Sequence, residues 1–448
     1  MLERYYIQVI LPLRLKWEPW YYCEVPVETG TRVRVRNSGR EYIGVVSSTG
    51  GSPDIDEKRI LKVISVETEL ELILPSEMEF WRFIADYYLC SVGEVYKYAY
   101  PAGESRTEVK SSRKKIDLRR NNSFTPALQL ENCGRPIFVS GAKRSAIYEK
   151  HIGKTLSEGR DVLLISPDKP RESYATRREY AKAVRSDTPV VIEGNKSNIF
   201  LPFTKLGLVI IDDEDSVSFK NNGAAPRFNG RDAAIMLASM HGAAVLLGSL
   251  TPSLETVLNV NSGKYKHIET EAPTLAECET IDTDAEFRKN GMVGDRSRKL
   301  IAAEEEVTVR GGKFTEINSW ELGKAFKTKL EKYDLVAVLH AELMSSRADF
   351  RADEKYSHAI FRLRSRCRGK IMIQTRVSER SVVPDQDLLK ERKEFNFPPF
   401  SRLVEIRKRD EETVVRQYFL KKDKYLGEKK KEIAGNIPGD CFIDVDPL

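Results

Sequence analysis

The chain has 448 residues, 41% of them hydrophobic and 31% charged, a composition of soluble multidomain proteins rather than of disordered or membrane-embedded ones. The 73 Lys and Arg exceed the 67 Asp and Glu by 6, a mildly basic balance that permits an acidic partner without requiring one. No apolar run approaches the ~18 residues of a membrane helix. The first twenty residues lack both a sustained apolar core and a small-residue cleavage site, so no signal peptide is expected. Six scattered cysteines (Cys23, Cys90, Cys133, Cys278, Cys367 and Cys441) include no CxxC pair. That argues against a clustered zinc site and against a disulfide scaffold. The five histidines show no metal-ligand spacing.

Residues 1–105 read as strands followed by a helix. Valine and arginine alternate strictly at 31–36, a half-buried strand. Residues 37–40 form a turn, and 41–46 return as the second arm of a hairpin. Ser76 and Glu79 have the spacing of a capping box, opening a helix that buries Phe80, Ile84 and Tyr88 on one stripe. A β-barrel-like domain with a packed helix is expected. Arg32, Arg34 and Arg36 accompany an aromatic group at Trp17, Trp20, Tyr21 and Tyr22. Such interleaving suits single-stranded nucleic acid, with cations on the backbone and rings on the bases. It equally suits a barrel core with a polar exterior.

Residues 106–125 are basic and lack apolar periodicity. They read as a linker, whose charge is either simply solvated or available to phosphates. From 126 to 265 the pattern is α/β. Short apolar strands are expected at 136–140, 161–166, 188–192, 206–211 and 243–247, with helices between them. This predicts a doubly wound parallel sheet that binds ligands at the carboxyl ends of its strands. Residues 266–375 are weakly periodic, with strands at 335–340 and 370–374. The segment 376–448 reads as a small C-terminal domain.

Four stretches bear on chemistry. The strand at 206–211 runs into Asp212, Asp213, Glu214 and Asp215, where nucleotide hydrolases hold a phosphate-bound Mg²⁺; an acidic helix cap would look the same. The loop after the first strand of the sheet holds Lys143, Arg144 and Ser145 but one glycine only, where a phosphate loop needs several. Gly153, Lys154 and Thr155 mimic such a loop but fall inside a helical stretch. Arg362, Arg364, Arg366 and Arg368 form a basic face if extended, or spread around the axis at a helix end. In both cases phosphate contact and plain solvation stay open.

In order along the chain, several segments resemble the PriA (primosomal protein N′) family of replication-restart DNA helicases. They lie at 10–13, 30–35, 84–95, 194–203, 212–215, 228–233, 247–255, 349–352, 373–375 and 394–400. The resemblance implies an N-terminal domain (1–105) that binds the 3′ end of a strand at a fork. It implies a RecA-like superfamily 2 helicase lobe (126–265), a second lobe (266–375) and a C-terminal domain. It implies ATP and Mg²⁺ as cofactors. DNA forks and single strands, other primosome proteins and single-stranded DNA-binding protein are the implied partners, in the cytoplasm and away from membranes. DNA contacts transfer to Arg32, Arg34, Lys62, Trp20, Tyr21 and Tyr22. Ser249 and Thr251 match the motif that couples the DNA and nucleotide sites.

The departures from the family fall on its ATP cycle. In the phosphate loop, Arg144 and Ser145 stand at the lysine and threonine positions. Arginine's planar fork differs from a compact ammonium. Asp212 keeps the Mg²⁺ position. Asp213 replaces the water-activating glutamate with a side chain one methylene shorter, and a 1 Å misplacement can cost on the order of 10²-fold. Arg366 matches the first finger arginine, whereas Gly369 stands at the second. The zinc-binding cysteine insert is missing. Phosphate cradle, water activation and arginine finger must be placed together for turnover, so a degenerate motor is expected. A working ATP-dependent 3′→5′ helicase, with Lys143 or Arg144 on the phosphates, is the alternative.

Overall fold

In the computed structural model the described residues are 3–101, 118–120, 134–167, 169–322, 329–344, 349–376, 385–410 and 413–447. Six strands build the first sheet: β1 (Tyr5–Ile10), β2 (Trp20–Cys23), β3 (Arg32–Asn37), β4 (Arg40–Thr49), β5 (Leu61–Lys62) and β6 (Ser65–Val66). Their order is β5-β2-β1-β4-β3-β6. The predicted hairpin is present, with β3 antiparallel to β4 and Asn37 opposite Arg40. Its turn residues Ser38 and Gly39 both have positive φ (49° and 78°), the backbone that matches the twist of a tight hairpin. A bulge between Gln8 and Val9 adds twist, and the sheet curls into a half-barrel. Val33 and Val35 point into it and are fully buried beside Ile7, Val9 and Tyr21.

Two helices pack against this sheet, α1 (Pro75–Tyr88) and α2 (Val92–Ala99). The start of α1 differs from the sequence reading. Ser76 is not its cap, because Pro75, pre-set in φ, takes the first helical position. The carboxylate that reaches back is that of Glu77, which accepts from the Leu74 amide at 2.9 Å. A true capping box stands at α2, where Ser91 and Glu94 satisfy each other's amides. Phe80, Ile84 and Tyr88 are buried as expected.

The second sheet contains β7 (Ile137–Ser140), β8 (Asp161–Ile165), β9 (Val191–Gly194), β10 (Leu206–Asp212), β11 (Ala244–Ser249) and β12 (Lys266–Glu269). It is parallel throughout, in the order β12-β7-β11-β10-β8-β9. Helices α3 (Arg144–Ser157), α4 (Tyr174–Arg185), α5 (Gly230–Met240) and α6 (Leu254–Asn261) connect its strands, giving the RecA-like layer. Strand β9 overlaps the expected 188–192 but begins three residues later. Pro189 has no amide to give, and the Val190 amide is donated to Asp161 Oδ1 at 2.9 Å.

A third, parallel sheet has the order β13-β18-β17-β16, from β13 (Cys278–Asp282), β16 (Phe314–Asn318), β17 (Leu335–Leu339) and β18 (Lys370–Thr375). A two-stranded hairpin of β14 (Met292–Val293) and β15 (Arg296–Ser297) lies beside α7 (Thr283–Asn290) and α8 (Arg298–Val309), and α9 (Ala352–Arg366) precedes β18. The sequence revealed the interior strands β17, which is apolar throughout, and β18, which has the apolar centre Ile371-Met372-Ile373; the edge strands β13 and β16 keep more polar residues and escaped it. Finally, β19 (Ser401–Lys408), β20 (Val414–Lys421) and β21 (Cys441–Val445) form an antiparallel sheet, β20-β19-β21, with α10 (Asp385–Glu394) before it and α11 (Leu426–Gly435) within it. The expected linker at 106–125 lies outside the described residues except for 118–120, where Arg119 pairs with Glu149 at 2.6 Å.

Candidate functional site

The carboxyl end of β10 delivers Asp212, and the chain then turns through Asp213 at φ 50°, a left-handed conformation that non-glycine residues seldom adopt. Facing it is Arg144, the first residue of α3. Its Nε and Nη2 donate to Asp212 Oδ1 at 3.1 and 3.0 Å, and Nη2 also donates to Asp213 Oδ1 at 3.1 Å. Nη1 donates to the Gly141 carbonyl at 2.9 Å. From the next turn of α3 the Tyr148 hydroxyl donates to Asp212 Oδ1 at 2.9 Å. Only glycine at 248 leaves room for it, since a Cβ there would lie 1.5 Å from the hydroxyl oxygen. Burial works against the charge on Arg144, but Asp212, Tyr148 and Asp213 outweigh it and raise the pKa of the guanidinium. Burial and then Asp212 push the Asp213 carboxyl above its ordinary range, against Arg362 and Arg144.

The loop from β7 to α3 is committed elsewhere. Gly141 takes φ +97° and packs against Thr270 and Glu271, the residues that follow β12. The Ala142 amide donates to the Glu271 carbonyl at 2.8 Å, and the Lys143 amide to Thr270 Oγ1 at 3.3 Å. The Lys143 ammonium pairs with Glu271 Oε1 at 2.7 Å. Ser145 is exposed on the first turn of α3. The residues as arranged do not fit a magnesium–nucleotide group. A guanidinium already lies across the carboxylates, and amides that would wrap a phosphate are bonded to the chain's own Thr270 and Glu271. Lys154 of the decoy tripeptide lies within α3, as expected, beside Glu158. Among the described residues no cluster of three or more His, Cys, Asp or Glu side chains is arranged to hold a metal ion.

Asp215, two residues on, is the hub between the parallel sheets. Ser249 and Thr251 donate to its two oxygens at 2.6 and 2.9 Å. Arg362 Nη2, from α9, donates to both oxygens at 2.8 Å, and its Nε reaches Thr251 Oγ1 at 3.1 Å. The Asp215 side chain is 4% exposed. Beside it, buried Glu214 binds Arg231 and Ser253. The sequence reading selected Arg366 as the finger. It is exposed at the last residue of α9, and the arginine of that helix that reaches the acidic turn is Arg362, one turn earlier. The 362–368 run is thus a helix end and not a strand. Nothing in the sequence pointed to Tyr148 or Glu271; Arg362 was visible only as part of the basic run.

On the first sheet the DNA candidates separate. Trp20 borders a cavity of about 1220 Å³ with Trp17, Lys16, Arg36 and Arg59. Trp17 is 67% exposed, and the Trp20 indole donates to Asp54 at 3.0 Å. Tyr21 points to the opposite face, buried in the core, with its hydroxyl on the Arg36 carbonyl. Tyr22 carries the Arg4 guanidinium over its ring at 4.8 Å. Lys62 pairs with Glu24 at 2.5 Å. Arg32 and Arg34 lie on β3, three strands from β2 in the sheet order and so about 14 Å away at normal strand spacing. Arg32 is buried, stacked 4.2 Å from the centre of the Tyr100 ring, and Arg34 pairs with Glu67 at 3.0 Å. Ser249 and Thr251 are also buried, held by Asp215.

Residues 8–101 match the family model described as the 3′DNA-binding domain of PriA. A protein named replication restart protein PriA from Rickettsia felis is 28% identical over 273 residues, covering 53% of this chain and 41% of the relative. The protein of the same name from Haemophilus influenzae is 33% identical over 152 residues, 29% of this chain and 21% of the relative. Among solved structures, the helicase MrfA aligns at a TM-score of 0.32 and 11% identity, over 58% of this chain and 49% of that one. The chain thus matches about two fifths of the length of the first of these relatives. No helix among the described residues is long and apolar enough to cross a membrane.

Proposed function

We propose that this chain is a member of the PriA family of replication restart proteins, which its 3′DNA-binding-domain match and its PriA relatives support, and that it binds forked or single-stranded DNA and supports primosome assembly without turning over ATP. The observation that carries the reading is the Arg144 guanidinium lying across Asp212 and Asp213. A general base that is hydrogen-bonded to a fixed cation does not activate water, and a carboxylate so occupied is a poor metal ligand. The DNA function rests on the half-barrel domain. There the exposed Trp17 and the half-buried Trp20, with Lys16 and Arg59, offer rings for bases and cations for phosphates. Lys62 and Tyr22 lie on strands at the same end of the sheet order. Arg34, Ser249 and Thr251 support the architecture around their carboxylates. Primosome proteins and single-stranded DNA-binding protein in the cytoplasm are the partners this role entails.

The test pairs two measurements on the full chain, ATP hydrolysis with and without forked DNA and a salt-dependent titration of the same fork. The expected result is saturable DNA binding that weakens as salt rises, with no DNA-stimulated hydrolysis. Turnover of about 1 s⁻¹ or more, abolished by Asp213→Ala, establishes the working helicase instead. Absence of DNA binding overturns the reading altogether.

A further inference from the structure

Two adjoining cavities, of about 430 and 370 Å³, share Arg32, Leu70 and Tyr100 as lining; the first lies wholly within the half-barrel domain, and the second opens between that domain and α4 of the first parallel sheet. They are separate from the Trp17–Trp20 cavity, with which the first shares Leu13 and the second nothing. Eight cations and three carboxylates line the pair. Four of the cations, Arg40 and Lys97 in one cavity and Arg178 and Lys182 in the other, are exposed and make no ion pair among the described residues. Arg178 and Lys182 are one turn apart on α4 and so project from one face of it. Of the carboxylates, Glu41 and Glu71 are already paired, with Arg36 and Arg185. Against these four cations stands the one remaining carboxylate, the exposed Glu69, so the groove presents an excess of positive charge, with Tyr42 set beside it.

We infer that this groove is a second DNA-binding track, which holds the sugar–phosphate backbone of a single-stranded arm of the fork across the seam between the two domains. The inference rests on the DNA-binding reading above and adds a place to it. Charge complementarity selects the occupant. A polyanion neutralises four free cations, and the chain's own continuation beyond Pro101, rich in Arg and Lys through 106–115, has the wrong sign to fill it. The geometry also gives a reason for Arg32 and Tyr100. They form the shared wall of the two cavities, so a strand bound there bridges the half-barrel and the RecA-like layer and fixes their relation.

The experiment compares the full chain with the double variant Arg178→Gln/Lys182→Gln and with Trp17→Ala, using a fork with one single-stranded arm. Fluorescence anisotropy is recorded across a salt series. Loss of two phosphate contacts makes the slope of log K against log salt shallower by about 1.4. Affinity at 0.1 M salt is expected to fall by about tenfold or more, with the far-ultraviolet circular dichroism unchanged. Trp17→Ala lowers affinity too but leaves the slope as it was, because stacking releases no counterions. Unchanged affinity and slope in the double variant overturn the track while leaving DNA binding elsewhere intact. If the unmodified chain binds no fork, both this inference and the functional reading fall. If an acidic peptide competes with wild-type binding as well as single-stranded DNA does, the groove is a peptide site and the inference is wrong.

Discussion

Replacing Arg144 with alanine strips the guanidinium from Asp212 and Asp213. Three hydrogen bonds to carboxylates are lost, each of a kind worth about 1.5–3 kcal/mol when dry. The carboxylates are 30% and 22% exposed, so water recovers much of this, and the expected net loss is about 2–3 kcal/mol. Two adjacent carboxylates then repel each other, and Asp213, already raised by burial and Asp212, rises further. A raised carboxyl pKa means that the folded state binds more protons than the unfolded one above about pH 4. The variant therefore loses further stability, relative to the parent, as pH climbs from that point. The assay is equilibrium urea unfolding at fixed m, on the transition that carries the first parallel sheet, with magnesium or with a chelator. Freed carboxylates gain a use for magnesium: at about a hundredfold excess over its Kd it returns about 2.7 kcal/mol. The parent is expected not to respond. A variant as stable as the parent to within about 0.5 kcal/mol, or a parent stabilised equally by magnesium, refutes the reasoning.

Arg362→Met strands the buried Asp215 carboxylate and is expected to cost about 3 kcal/mol. Adding Asp215→Asn should restore a large part, so a double-mutant cycle by thermal unfolding that shows simple additivity would falsify the hub. Lys196, whose ammonium donates to the Ser218 and Lys220 carbonyls, has its pKa lowered to about 8 by burial and by Lys220. The unfolded chain then binds the extra proton between about pH 8 and 10.4, so stability rises with pH across that window. Thermal midpoints of wild type and Lys196→Met should diverge there, and parallel curves count against the assignment. Trp17→Ala is expected to lose about 1–3 kcal/mol of single-strand affinity, read by the same anisotropy titration; an unchanged Kd removes Trp17 from the interface.

The sequence disclosed those parts of the fold in which burial repeats with a simple period. Strand β3 of the hairpin alternates, and β10, β17 and β18 each carry a continuous apolar run, so each reads from local pattern alone. Strands β13 and β16 are sheet edges with polar faces, and their burial is decided by neighbours distant in sequence. The same division applies to the site. Asp212 was visible as a retained motif residue and Asp213 and Arg144 as substitutions within motifs, but their mutual contact is tertiary. So is the closure of the loop by Thr270 and Glu271, which follow β12; Thr270 donates to the Ser140 carbonyl across 130 residues of chain. Arginines on alternate positions of β3 suggested a common DNA face. Only packing shows that Tyr100 covers Arg32 while Glu67 holds Arg34.

The strand β21 and the two residues after it fasten three parts of the molecule. Lys220, buried beyond β10, donates to Asp444 and to the Val445 carbonyl at 2.7 Å each. Tyr87 of α1 donates to Asp446 at 3.0 Å, and Arg402 of β19 reaches the same carboxylate at 3.0 Å. These partners are separated by up to 359 residues along the chain. On a ribosome the early segments emerge long before their fastener does, and contacts of such high sequence separation form slowly. Lys220 and Tyr87 therefore wait, solvated, until β21 has been synthesised, so the fastening of the early segments is among the late events of folding.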